Sequence, residues 1–412
     1  MNSHQSTPDK TLALSFRLLT DWETTQNFDL ILAEQRKFDN SEVTDMAAAT
    51  CRSFFRNKHY SDWLLQTRSK KMPRGRIKRI IGIAVTQLLE KQIEPSIICD
   101  TAVRFCKQKY SKFDASFINQ FLRSLTAEEL PKPNSKVELG LSPELLKHWR
   151  KHFSDHDVRK FAETLKSPVS MTARLSPENP DISDLMDYLK PLDLPDWSNG
   201  IKAFEITNAK EFLKCNNNRL YIQDPAPLMA IQMLNPKEGE TLADLCSAPG
   251  GKSLLIAQLL KNSGKLISGD ISRKRLEQVK ENLDAYSNCE IIQMDARNPD
   301  LEEQSFDGVL LDVPCSNTGV IRRKADVRWT FSQKKLVDIT ELQYEILVGA
   351  SKLIKPGGRI IYSTCSICPE ENIAIVKKFV ESHQNFSIEN HRTLFPEENH
   401  DGSFACKIKL NT

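Results

Sequence analysis

The stretch Asp244-Leu-Cys-Ser-Ala-Pro-Gly-Gly-Lys-Ser253 decides how the rest of the chain is read. An apolar run, Leu242 to Leu245, carries an acid near its end, turns through Pro249-Gly250-Gly251 and enters a helix-periodic segment from Ser253 to Leu260. A strand, a glycine turn and a helix amino terminus make a cradle for the anionic or polar part of a nucleotide-like ligand, because the first helical amides have no partner within the helix. A G-x-x-x-x-G-K-[ST] phosphate loop needs glycine where Cys246 stands, and the spacing does not supply the G-x-G-x-x-G of a dinucleotide site. An acid closing the strand before such a turn suits a ligand with a ribose and a charged amino-acid tail, of which S-adenosylmethionine is the obvious one. The plainer alternative is a strand-to-helix turn that needs glycine only for its backbone.

The pattern downstream is regular. Strands are expected at Leu242–Leu245, Lys265–Gly269, Glu290–Met294, Gly308–Leu311, Arg359–Ser363 and Phe404–Leu410, with helical patterns between most of them, such as Leu336, Ile339, Leu342, Ile346, Ala350 and Leu353. Alternating strands and helices argue an α/β, Rossmann-like domain with a mostly parallel sheet and right-handed crossovers, whose ligands lie at the carboxyl ends of the strands. The first four strands finish at or beside Asp244, Asp270, Asp295 and Asp312. One terminal aspartate is commonly a helix cap; four in register around a glycine turn favour a nucleoside site. The acid after the second strand suits the ribose hydroxyls, the third the adenine amino group and the fourth the charged methionine portion.

Before residue 137 the chain is helical in pattern. Ile77, Ile80, Ile81, Ala84 and Leu88 share one face after the Pro73-Arg74-Gly75 break, Ile98, Ala102, Phe105 and Cys106 another, and Phe117, Phe121, Leu122 and Leu125 a third. The expected organisation is an all-helical domain over 1–130, a proline-bearing linker over 131–136, a small mixed α/β subdomain over 137–220 and the Rossmann-like domain over 221–412. Net charge is only +3, but Arg52, Arg56, Lys58, Arg68, Lys70, Lys71, Arg74, Arg76, Lys78 and Arg79 fall in one stretch opposed by Asp62 alone. Such a cluster either grips phosphates or is a solvated helix face. No apolar run reaches the 18 or so residues of a membrane span, and Met1 to Lys10 lacks the apolar core of a signal peptide. Ten cysteines without a framework spacing, in a chain of 412 residues, suggest reduced thiols in the cytoplasm.

Two of those thiols bear on the chemistry. The fourth strand runs into Asp312-Val-Pro-Cys315 and the fifth into Ser363-Thr-Cys365, so neighbouring strands would bring both sulfurs to the cofactor pocket. Buried cysteines are commonly inert, and Cys365-Ser-Ile-Cys368 also reads as a redox pair or half a zinc site. A zinc site lacks its second half, so no metal is expected, and a redox role leaves the four aspartates unexplained. A methyltransferase with a thiol in its pocket suggests methylation at carbon 5 of cytosine. Thiolate addition at carbon 6 turns the ring into an enamine whose carbon 5 attacks the methyl group. An amino-directed enzyme would carry an Asn/Asp-Pro-Pro-aromatic turn where Asp312-Val-Pro-Cys315 stands.

Residues 244–253, 312–329 and 363–372 resemble the motifs of the RsmB/Nop2/Sun family of RNA cytosine-C5 methyltransferases. The combination of Pro314-Cys315, Thr364-Cys365 and Cys246-Ser-Ala-Pro-Gly-Gly-Lys252 carries the likeness. The helical region resembles the NusB-like domain of the family's bacterial small-subunit rRNA enzyme. The resemblance implies a final antiparallel strand, Cys365 as nucleophile, Cys315 as the thiol that assists product release, and S-adenosylmethionine held by Cys246, Ser247, Ala248, Pro249, Gly250, Gly251, Lys252, Asp270, Asp295 and Asp312. It implies a monomer acting on RNA, with 16S rRNA and a cytosine of the 967 type as target, and neither DNA nor a membrane as partner. It places Gly319 to Lys324, Asp326 and Trp329 beside the RNA, with Arg322 and Arg323 as phosphate or base contacts unless they pair with acids in the core. It also tips the basic stretch from Arg52 to Arg79 toward RNA. Ser247 stands where the family usually has alanine, Val313 stands in the Asp-Ala-Pro-Cys turn, and Leu254-Leu255 replace a histidine common after the glycines; none removes a reacting group. A tRNA or large-subunit rRNA target, a thiol-redox enzyme and a non-catalytic RNA-assembly factor are the alternatives.

Overall fold

A computed structural model describes residues 6–127, 129–167, 169–198, 200–216 and 219–411; of the expected polar start, the first five residues lie outside this set. The chain divides into a helical unit, residues 1–166 with 323–331, and a sheet-bearing unit, residues 167–322 with 332–412.

The helical unit contains α1 (Thr7–Thr25), α2 (Phe28–Phe38), α3 (Glu42–Arg68), α4 (Gly75–Glu90), α5 (Pro95–Lys109), α6 (Lys112–Thr126), α7 (Ser135–Glu138), α8 (Pro143–Trp149) and α9 (Asp155–Thr164). Side-chain caps start several of them: Asn27 accepts from the Leu30 amide, Ser111 from Asp114, Ser142 from Leu145 and Ser154 from Asp157. The three apolar faces expected on α4, α5 and α6 pack into one core, with Phe117 at its margin. This unit runs past the expected boundary at residue 130. Leu145, Trp149, Val158 and Phe161 are buried and sit on capped helices rather than in the mixed subdomain. Segment 323–331 also belongs here. Asp326 accepts from the Trp22 indole (3.2 Å) and the Phe28 amide (3.1 Å), Trp329 donates to the Phe55 carbonyl (2.7 Å), and the buried Arg328 donates to the carbonyls of Gly140 and Leu165.

The other unit opens with a four-stranded antiparallel sheet of β1 (Thr172–Leu175), β2 (Leu189–Pro191), β3 (Ala203–Ile206) and β4 (Leu220–Ile222), in the order β2-β3-β1-β4, with α10 (Ala209–Cys215) before β4. The short apolar runs Phe204-Glu-Ile206 and Leu220-Tyr-Ile222 form β3 and β4. Then follow α11 (Leu228–Leu234), β5 (Thr241–Asp244), α12 (Gly251–Leu260), β6 (Lys265–Asp270), α13 (Arg273–Leu283), β7 (Cys289–Gln293), β8 (Phe306–Asp312), α14 (Val327–Thr330, within the returning segment), α15 (Gln333–Ser351), β9 (Ile354–Thr364), α16 (Ile373–Ser382), β10 (Phe386–Leu394) and β11 (Ser403–Leu410). The seven-stranded sheet has the order β10-β11-β9-β8-β5-β6-β7. It is parallel from β7 to β9, and β11 returns antiparallel to β9 and to β10.

Side chains alternate across the sheet with the period of two that strands impose. Leu242, Leu266, Leu310, Ile361 and Ala405 join one core with α11, α12 and α13; Ala243, Ile267, Val309, Leu311, Ile360, Tyr362 and Phe404 join the other with α15 and α16. The sequence does not announce β10 in this sheet, nor β1 and β2 in the smaller one. Among the described residues β10 pairs with β11 alone, as an edge strand, and its exposed stretch, Glu389 to Arg392, carries no apolar residue.

Candidate active site

β5, β6 and β8 lie side by side, so their carboxyl ends bring Asp244, Asp270 and Asp312 to one edge of the sheet. The turn after β5 is tight. Gly250 has φ +105°, and a Cβ on Gly251 would stand 2.8 Å from the Tyr221 ring and 3.1 Å from Gln223 Nε2, so only glycine fits that approach. α12 starts there without a side-chain cap. A cleft is lined by Tyr221, Ile222, Gln223, Asp244, Cys246, Ser247, Ala248, Pro249, Gly251, Lys252 and Asp312.

Asp244 is buried. One carboxylate oxygen accepts from Ser253 Oγ at 2.7 Å and the other, Oδ1, has no side-chain partner among the described residues. Burial, opposed by Ser253 and Lys252, pushes its pKa up to about 7. Ser247 Oγ is likewise buried, with no hydrogen-bond partner among the described residues. Orphaned polar atoms beside an open helix amino terminus fit a nucleoside with a polar tail. Asp270 clamps the glycine loop from behind, accepting from the Ala248 amide (3.3 Å) and the Ser272 amide (2.9 Å). Asp295 stands just beyond β7, its two oxygens held by Arg297 at 2.6–3.1 Å, and that pairing lowers its pKa. Neither Asp270 nor Asp295 lines the cleft itself.

β8 and β9 are neighbours, with Asp312 opposite Ser363. The loops beyond them meet, and Cys315 Sγ lies 3.1 Å from Cys365 Sγ. Both residues are half-buried and all ten cysteines are free. The adjacent Cys365 sulfur and then burial raise the pKa of Cys315 well above the usual thiol value. Cys365 is also 3.2 Å from the Asn317 side-chain oxygen, while Asn317 Nδ2 donates to the Cys315 carbonyl at 2.9 Å. Lys252 joins the two halves of the site. Its ammonium donates to Asp312 Oδ2 at 2.6 Å, and Asp312 Oδ1 accepts from Ser363 Oγ at 2.8 Å. Burial works against the Lys252 charge, yet the Asp312 carboxylate outweighs it and the pKa is raised. Cys368 is turned inward, 3.4 Å from Thr318 Oγ1, and burial pushes its pKa up to about 12.

Behind the thiols lies Glu371, fully buried, which the sequence reading missed. Its carboxylate accepts from the Ser316 amide (2.6 Å), the Ser316 hydroxyl, Ser366 Oγ (2.6 Å) and Gln343 Nε2 (3.2 Å). Gln343 also donates to the Pro314 carbonyl at 2.9 Å. One carboxylate therefore holds the residue after each cysteine. Burial raises the Glu371 pKa against the pull of these hydrogen bonds. In sequence, Glu370-Glu371 looks like ordinary acid at the start of a helix; only its contact with residue 316, 55 positions away, distinguishes it.

Arg322 requires a correction. Expected beside RNA, it is 5% exposed and donates to Asp401 Oδ1 (3.4 Å) and to the carbonyls of Glu398 (3.3 Å) and His400 (3.2 Å). A guanidinium enclosed by an acid and two carbonyls ties two loops together instead of facing solvent. Arg323 is half-buried and begins the segment that belongs to the helical unit.

Residues 231–409 match the family described as 16S rRNA methyltransferase RsmB/F, and residues 9–127 match the NusB family. The probable ribosomal RNA small subunit methyltransferase B of Bacillus subtilis is 32% identical over 309 residues, 69% of this chain and 67% of that protein. The ribosomal RNA small subunit methyltransferase B of Shewanella oneidensis is 44% identical over 162 residues, 39% of this chain and 38% of that protein. In fold, the solved protein PH0851 superposes with a TM-score of 0.78 at 20% identity, covering 98% of this chain and 99% of its own. NSun6 from Pyrococcus horikoshii, solved with SFG, superposes with a TM-score of 0.57 at 20% identity, over 66% of this chain and 98% of its own. The chain therefore belongs to the RsmB/F family of S-adenosylmethionine-dependent 16S rRNA methyltransferases, with a NusB-family helical domain ahead of the catalytic one.

Proposed function

We propose that this protein methylates carbon 5 of a cytosine in 16S rRNA, of the 967 type, through a covalent bond from Cys365 to carbon 6 of the ring. The observation that carries the reading is the meeting of two free thiols, 3.1 Å apart, at the ends of adjacent strands beside the cleft. On this reading Cys246 to Lys252 and Asp244 hold the cofactor, with Asp270 fixing the loop and Asp295 at its outer side. Bound there, S-adenosylmethionine supplies an electrophilic methyl group. The Cys365 thiolate would add to carbon 6, the electron pair would move to carbon 5, and carbon 5 would take the methyl group as its bond to the sulfonium sulfur breaks, the donor leaving as the neutral thioether S-adenosylhomocysteine. Loss of the proton from carbon 5 then restores the ring double bond and expels Cys365, with Cys315 beside it to assist release. Lys252 and Asp312 present one donor and one acceptor near the thiols, suited to the polar edge of a pyrimidine. The cytosine must leave its stack to reach this site.

The helical domain supplies RNA grip from a narrower surface than its run of basic residues suggests. Lys58 and Lys78 share Asp62 at 3.0 Å each, and Arg79 is buried against Glu23. The exposed cations gather at the α3–α4 connection, at Arg68, Lys70, Lys71 and Arg74. We assign the phosphate contacts to this connection.

The test uses Cys315→Ala and Cys365→Ala with S-adenosylmethionine and 16S rRNA. Cys315→Ala accumulates a covalent protein–RNA adduct on gels and Cys365→Ala forms none. Methylation by Cys365→Ala would refute the mechanism, and bisulfite mapping of the wild-type product locates the base. Absence of tritiated methyl transfer to any RNA would leave an assembly factor instead.

A further inference from the structure

A buried cation stands behind the cofactor cleft with no acid in direct contact among the described residues, Glu178 reaching its surroundings only through the Tyr286 hydroxyl. Arg174 of β1 is 1% exposed. Its Nε donates to Gln223 Oε1 at 3.0 Å, Nη1 to Gln258 Oε1 at 3.1 Å and Nη2 to the Gly251 carbonyl at 3.3 Å, and its guanidinium lies 5.1 Å from the centre of the Tyr221 ring. All these partners are neutral. Taking a guanidinium out of water without a carboxylate is costly, and burial lowers its pKa to about 10. A helix-to-strand tie needs only polar contacts, so the charge itself calls for a reason.

Gln223 supplies one. Arginine only donates hydrogen bonds, so the Gln223 amide has to offer it the oxygen, and the amide nitrogen is thereby turned the other way. That nitrogen lies toward Gly251, where α12 starts without a side-chain cap. The Gln223 backbone is fixed as well, its amide donating to the Thr172 carbonyl at 3.0 Å and its carbonyl accepting from Thr172 Oγ1 at 3.0 Å. Gln223, Gly251 and the unpartnered, 5%-exposed Ser247 all line the cleft. This end of the cleft therefore offers an amide donor, a hydroxyl and an open helix terminus, backed by a fixed positive charge. The opposite character is supplied by Asp244.

We infer that the donor-rich end takes the carboxylate of the cofactor's amino-acid tail, that Gln223 is a binding residue for it, and that Arg174 is the positioning residue that aims Gln223 and supplies the favourable charge. This rests on the assignment of the cleft to S-adenosylmethionine. It gives the small antiparallel sheet a task, since β1 carries Arg174 behind the cleft and β4 leads directly into Gln223 on its wall.

Titration calorimetry with two probes tests it. S-adenosylhomocysteine carries the amino-acid tail and 5′-methylthioadenosine lacks it. Gln223→Leu weakens S-adenosylhomocysteine about tenfold, the loss of one hydrogen bond to a charged group, and leaves 5′-methylthioadenosine unchanged. Arg174→Met weakens the same ligand selectively, and the double variant is less than additive because the two residues act as a unit. If Arg174→Met does not fold, Gln223→Leu and Gln223→Glu still decide the matter, the latter losing more of the tailed ligand by setting carboxylate against carboxylate. Equal weakening of both ligands, or no weakening of S-adenosylhomocysteine by Gln223→Leu, overturns the inference while leaving the cleft assignment standing. Failure of the wild-type protein to bind S-adenosylhomocysteine overturns both.

Discussion

Replacing Glu371 separates a carboxylate that merely fills space from one that sets the distance between two sulfurs. In Glu371→Leu four donors lose their acceptor, but they are not equivalent. The Ser316 and Ser366 hydroxyls lie 3.2 Å apart, and Ser366 is 2.9 Å from Thr318 Oγ1, so they can turn to one another. The Ser316 amide cannot, nor can the second Nε2 hydrogen of Gln343, whose first keeps the Pro314 carbonyl, and each buried donor hydrogen left unpaired costs about 1–3 kcal/mol. Leucine recovers part of this by removing a carboxyl whose burial already raises its pKa, so the net loss is about 2–4 kcal/mol. In Glu371→Gln the amide oxygen keeps the Ser316 amide and Gln343, while the amide nitrogen faces two hydroxyls able to accept. That variant loses about 1 kcal/mol or less.

Catalysis follows the same order. Ser316 and Ser366 each adjoin a reacting cysteine, and a shift near 1 Å in such a constellation costs about a hundredfold in rate. Urea unfolding gives the stabilities, and single-turnover transfer from tritiated S-adenosylmethionine gives the rate of the chemical step. Cofactor affinity serves as the control, since Glu371 does not line the cleft. A leucine variant as stable and as fast as wild type would refute the reasoning, and a glutamine variant as damaged as leucine would refute the part that relies on hydroxyl reversal.

Asp244 makes the unliganded protein's stability pH-dependent. Its folded pKa of about 7 lies above the ordinary value of 3.8, so its contribution is fully present below about pH 4 and lost as pH rises through 7. Asp244→Asn should therefore gain Tm relative to wild type between pH 4 and 8, and a constant difference across that range would count against it. Substituting Lys70, Lys71 and Arg74 together by Ala should lower the slope of log K against log salt for RNA by about two to three, with little change in S-adenosylhomocysteine binding; an unchanged slope places the phosphate contacts elsewhere. Cys368→Ser should keep most of the methyl-transfer rate, because the thiol is enclosed against Thr318, whereas loss of activity comparable to Cys365→Ala would return the Cys365–Cys368 pair to consideration.

Periodic and local features were legible in the sequence. Leu242 and Ala243 face opposite cores as a strand period requires, and the glycine turn and the thiols sit at strand ends where the alternating pattern places them. The features it hid depend on contacts between distant residues. Val137 to Phe161 has a weak pattern because its helices are short, so the helical unit looked complete too early. Charge was the least legible property. A carboxylate or guanidinium is surface or framework according to a partner that no local window contains: Glu371 finds Ser316, Arg174 finds Gln258 84 residues on, and Arg322 finds Asp401 79 residues on. Arg322 and Arg323 are adjacent and chemically identical, yet the chain leaves one unit for the other between them. Lys58 and Asp62, four apart on one helix, are the exception that proves the physical point. Their pairing follows from helical geometry alone, so the neutralisation of that part of the basic stretch was available from spacing, while the burial of Arg79 against Glu23 was not.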